Sequence, residues 1–113
     1  MNILIVGGGL QALSVARSLK KERYSVIALL HRGDISTKSK YIDKLYTIDI
    51  TPTHKKEYLF FVHRVLQVHA ISVIIPLSDV TAEFLSINKV ELEHEYHLKC
   101  AIPNYDIFQK AND

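Results

Sequence analysis

Three consecutive glycines, Gly7, Gly8 and Gly9, stand between an apolar run, NILIV, and a run with helical spacing, LQALSVARSLKK. Glycine opens backbone conformations closed to other residues and lets a ligand approach closely. The free N–H groups at the start of the following helix then favour an anion. Gly7-x-Gly9-x-x-Ala12 also satisfies the G-x-G-x-x-A form of the dinucleotide fingerprint. That fingerprint needs an acidic residue about 20 positions on, at the end of the second strand, to hold the ribose hydroxyls. The place reads Leu30-His31-Arg32-Gly33-Asp34, and Asp34 lies too far into the loop to serve. Arg32 stands where it could meet a 2′-phosphate, which keeps NADP open. No G-x-x-x-x-G-K-[ST] is present, because the only other glycine is Gly33.

Ser78 and Asp79, in IIPLSDVTAEF, follow an apolar run and open a helical one. Either side chain can accept from the first free N–H groups of that helix, and the same groups can reach a ligand held at the glycines. The six histidines make no metal motif. His94-Glu95-Tyr96-His97 is one residue short of H-E-x-x-H, and His63 and His69 point in different directions on a helix. They read as solvated surface histidines. Cys100 is the single cysteine and sits in the strand-like LKCAI, which reads as an inert core thiol. No metal ligand and no catalytic residue is assigned.

The elements that position these residues follow from periodicity. Short apolar runs at Asn2–Val6, Ser25–Leu30, Leu45–Ile48, Ser72–Ile75 and Leu98–Ile102 read as strands buried on both faces. Helical spacing predicts helices over Leu10–Lys21, Lys55–His69 and Val80 to about His94, with a further one starting near Asp106. The connection HRGDISTKSK has no helical pattern. Short strands alternating with helices mean an α/β, Rossmann-like open parallel sheet of about five strands with helices on both faces. Right-handed crossovers give the strand order 3-2-1-4-5. In such a sheet, ligands bind beyond the carboxyl ends of the strands near the point of order reversal, which is where Gly7–Gly9 and Ser78-Asp79 fall.

The chain has 113 residues, one domain's worth, with 48% hydrophobic and 23% charged residues. A net charge of +2, dispersed along the chain, argues against nucleic acid as a partner. No apolar run approaches the ~20 residues that span a bilayer, and the N-terminus lacks the features of a signal peptide. With no cysteine pair available, the expected setting is cytoplasmic, away from membranes.

Taken in order, GGGLQALSVARSL, SKYIDKLYTI, VIIPLSD and PNYDIFQK resemble the N-terminal pre-ATP-grasp domain of the ATP-grasp ligases. The nearest subgroup is the one similar to the carbamoyl-phosphate synthase large subunit. The resemblance covers essentially all 113 residues. It implies a pre-ATP-grasp domain over 1–103, with 104–113 beginning the connection to an ATP-grasp domain that is missing from the chain. It implies ATP and Mg²⁺ as cofactors of the full-length parent, and none for this fragment alone, which would not be catalytic. Gly8, Gly9, Leu10 and Gln11 would face the acceptor substrate or acyl phosphate, with Ser78 and Asp79 nearby. The partners implied are a small-molecule carboxylate or amine substrate and the C-terminal ATP-grasp domains, and a homodimer is compatible. Two other classes stay open: an NADP-binding Rossmann-type sensor or oxidoreductase fragment using Gly7–Ala12 and Arg32, and an interaction module whose turn holds no ligand.

Overall fold

The computed structural model describes residues 1–102; the helix expected near Asp106 and the connection from 104 onward lie outside them. The chain runs β1 (Asn2–Val6), α1 (Leu10–Lys21), β2 (Ser25–His31), a 3₁₀ turn (Ile35–Lys38), β3 (Lys44–Ile48), α2 (Lys55–Val68), β4 (Ile71–Pro76), α3 (Asp79–Tyr96) and β5 (Lys99–Cys100). All strands pair parallel in the order β3-β2-β1-β4-β5, as the sequence predicts. β1 sits in the middle because the chain first winds to one side of it and then, after β3, crosses back to β4.

That crossing sorts the helices. α1 covers one face, where Ala12 and Ala16 pack on Ile3, Ile5, Val26, Ala28 and Leu30. α2 and α3 share the other, where Tyr58, Val62, Val65, Phe84, Leu85 and Leu92 pack on Leu4, Val6, Ile27, Leu29 and Ile74. Two faces of apolar contact explain why β1 and β2 read as continuous hydrophobic runs rather than alternating ones.

The structure differs from expectation at the edges of the sheet. β5 is only Lys99–Cys100, not Leu98–Ile102, because it pairs on one side alone and is separated by one residue from His97, a left-handed residue that ends α3. α3 begins at Asp79 and runs on to Tyr96, two residues beyond the expected end. Cys100 is buried as expected, and burial, reinforced by Glu93, pushes its thiol up to about 12. The opposite edge strand, β3, is tied down by Asp43. Its backbone N–H donates to the Val26 carbonyl at 2.8 Å, and its carboxylate accepts from the Val26 N–H at 2.7 Å. The same carboxylate pairs with Lys20 of α1 at 2.9 Å, so one side chain joins the edge strand, its neighbour and a helix.

Candidate functional site

The glycine turn leaves β1 with Gly7 and Gly9 at positive φ, +87° each, and Gly8 between them at an ordinary φ. Each glycine has its own reason to lack a side chain. A Cβ on Gly7 would lie 3.1 Å from Thr81 Oγ1 and 3.2 Å from Ser78 Oγ, so the turn packs against the start of α3. A Cβ on Gly8 would fall on the carboxylate of Asp34. Gly9 has open space around it, and only its backbone conformation calls for glycine.

Asp34 is the residue the sequence reading set aside. It lies three residues beyond β2, yet the 3₁₀ turn folds it back onto the glycines. Its Oδ1 accepts from the Gly9 N–H at 3.1 Å, the Ser36 N–H at 2.8 Å and the Ser36 hydroxyl at 2.5 Å. Oδ2 has no hydrogen-bond partner among the described residues. Burial pushes the Asp34 carboxyl up, but the bonds from Ser36 and Gly9 and the nearby His31 outweigh it and hold it below the ordinary carboxylate value. A charged carboxylate of the chain itself therefore stands at the start of α1, the position expected for an external anion.

Ser78 caps α3. Its hydroxyl accepts from the Thr81 N–H at 3.3 Å, and the Ser78 N–H donates to Thr81 Oγ1 at 3.1 Å, a reciprocal capping box. The capping expectation is met at Ser78, with Asp79 as the first helical residue. Thr81 was not anticipated, because the usual residue at that place in a capping box is Glu or Gln.

These pieces enclose a cleft of about 110 Å³ lined by Gly7, Gly8, His31, Asp34, Ser78 and Thr81, with Tyr58 and Ile48 among the apolar residues that complete it. Of the residues named from the sequence, Gly8 and Ser78 line this cleft, and Gly9 adjoins it through Asp34. Leu10, Gln11 and Asp79 are exposed at the surface and do not line it. Arg32 is outside it too, exposed and paired with Asp49 at 3.1 Å.

Two histidines depart from the solvated reading. His63 and His69 are half-buried, and each meets a tyrosine hydroxyl, Tyr96 at 2.6 Å and Tyr46 at 2.7 Å. His63 of α2 also lies with Glu91 and Glu95 of α3 in a trio whose ligand atoms all fall within 4.8 Å. Its Nδ1 is taken by Tyr96, both glutamates are exposed, and none of the three lines the cleft. A larger apolar groove, about 300 Å³, lies between β3 and α2 along Tyr46, Phe61, Val65 and Val68, and none of the glycine-turn residues reaches it.

No protein-family model matches the sequence, and no curated protein matches it. Solved structures do. The biotin carboxylase domain of a single-chain bacterial carboxylase matches with a TM-score of 0.73 at 16% identity, covering 99% of this chain and 26% of that one. The biotin carboxylase subunit of pyruvate carboxylase gives 0.70 at 19% identity, with 99% and 25% covered. The biotin carboxylase domain of a thermophilic 2-oxoglutarate carboxylase, solved with bicarbonate, gives 0.69 at 18%, with 99% and 25% covered. The chain shares their fold. It spans about a quarter of the length of these neighbours. None of the three is a carbamoyl-phosphate synthase, so the narrower subgroup finds no support in them.

Proposed function

We propose that this chain is the N-terminal, substrate-side domain of an ATP-dependent ligase that joins a carboxylate to an amine through an acyl phosphate. A mismatch of scale carries the reading. The cleft lies where open α/β sheets bind ligands, beyond the carboxyl ends of β1 and β4 where the strand order reverses. Its volume of about 110 Å³ is well below the roughly 300–1,000 Å³ of a site that encloses a whole small molecule. A cleft of that size suits a head group, and in this reading the rest of the site comes from other polypeptide.

The fold likeness supports this, since in each neighbour about three-quarters of the chain lies outside the matched part. A biotin carboxylase domain of the Hydrogenobacter thermophilus 2-oxoglutarate carboxylase was solved as a dimer with MgADP and bicarbonate. By extension, ATP and Mg²⁺ would belong to the further domains of the parent and not to this chain. Gly8, Gly9 and Ser78 form the substrate-side wall, and the exposed Leu10, Gln11 and Asp79 are its rim toward those domains. A homodimer of the parent belongs to the same proposal.

One observation favours a second reading. Arg32, exposed just past the end of β2, stands where it could meet the 2′-phosphate of an NADP-type dinucleotide bound at Gly7–Ala12. Calorimetric titration of the chain with MgATP and with NADPH separates the two. The ligase-domain reading expects neither nucleotide to bind in the low-micromolar range. Low-micromolar NADPH binding that is lost in Arg32→Ala would replace it with the dinucleotide reading.

A further inference from the structure

The sequence leaves two candidates for the group held at the glycine turn, an anion or an amine. An incoming phosphate or carboxylate would need the N–H groups at the start of α1. One of these, on Gly9, already donates to Asp34 Oδ1 at 3.1 Å. The Asp34 carboxylate also lies directly over Gly8, in the space a side chain there would fill. An external anion at this place would stand against a fixed negative charge in a partly buried cleft, where like charges repel more strongly than in water.

A cation meets the opposite situation. Oδ1 accepts three hydrogen bonds, whereas Oδ2 accepts none among the described residues and belongs to a side chain that lines the cleft. An ammonium group offers three donors and no acceptor, which suits an unpartnered carboxylate oxygen. The hydroxyls of Ser78 and Thr81 lie across the same cleft. The other titratable side chains lining it are His31 and Tyr58; His31 is exposed, and burial pushes the Tyr58 phenol up, so the phenol stays neutral.

We propose that Asp34 determines the specificity of the cleft, which receives the ammonium group of an amine substrate and rejects a carboxylate or phosphate. The inference rests on the reading of the cleft as a substrate wall and deepens it by naming which substrate the wall meets.

The test is ¹⁵N-amide NMR of Gly8 and Gly9 in the 113-residue chain at constant ionic strength. The probes are ethylammonium chloride and sodium phosphate. Asp34→Asn keeps an oxygen for the Gly9 and Ser36 donors and removes the charge. Asp34→Ser, which retains a cap for the 3₁₀ turn, serves if the first variant does not fold. Ethylammonium is expected to shift both amides saturably in the wild type, and about tenfold more weakly in the variants. Phosphate is expected to do the reverse. Phosphate binding as tight in the wild type as in the variants, ethylammonium binding indifferent to the substitution, or no response to either probe would each overturn the inference. These outcomes are separable from the ligase reading. A parent enzyme that forms an acyl phosphate while its glycine turn ignores both probes keeps the function and loses the role of Asp34.

Discussion

At Gly8 the backbone φ is ordinary, so the absence of a side chain has to be explained by a neighbour, and that neighbour is Asp34. Gly8→Ala is expected to lower stability by about 1–3 kcal/mol, the usual cost of overpacking, read as a fall in the urea midpoint. Combining it with Asp34→Ser removes the carboxylate that the new methyl would strike. The double variant should therefore be less destabilised than the sum of the singles, and strict additivity would show that the two residues do not touch. The glycines could be read from the sequence because their types announce a turn. Asp34 could not, because its contact with Gly9 spans 25 residues and depends on how a 3₁₀ turn folds back. Counting positions along a strand measures reach only while the chain stays extended. The partners of His63 and His69 were hidden for a similar reason, since Tyr96 and Tyr46 come from other elements.

Among the elements, the start of α3 hangs on the Ser78–Thr81 pair and the edge strand β3 on Asp43. Ser78→Ala should cost about 1 kcal/mol through loss of the cap, and Thr81→Ala a similar amount. Because the two share one reciprocal motif, the double variant should cost less than the sum, as measured by denaturant unfolding. At β3, burial pushes the Asp43 carboxyl up, but the bond from the Val26 N–H and the Lys20 ammonium outweigh it and hold it below its ordinary value. Asp34 is lowered as well, so both carboxyls titrate lower in the folded chain than in the unfolded one. Each therefore adds stability that is complete above the ordinary value of 3.8 and disappears as the pH falls through the lower folded value. Unfolding followed from pH 7 down to 2 should show that loss, and Asp43→Asn should flatten it. A pH profile unchanged by the substitution would remove Asp43 as a contributor.

For the whole molecule, the strand order was legible because right-handed crossovers leave few arrangements open to five strands with a helixless second connection. The edge of the sheet was less so. β5 is short because its pairing is set by the single neighbour β4, not by the apolar run from Leu98 to Ile102. The function is legible only as far as the cleft, which is about a third of the size of the smallest site that encloses a whole small molecule and sits in a chain that spans about a quarter of the length of its structural neighbours. If the cleft is one wall of a ligase site, the purified chain should show no ATP hydrolysis or ligation by itself, and robust turnover would refute the reading.

The most direct measurement is to read the coding frame past the codon for Asp113. The account predicts that it continues for roughly three further lengths of this chain, in proportion to the structural neighbours, with a glycine-rich loop, a lysine and metal-binding carboxylates. A stop codon immediately after Asp113 would leave the cleft without its other wall and contradict the account.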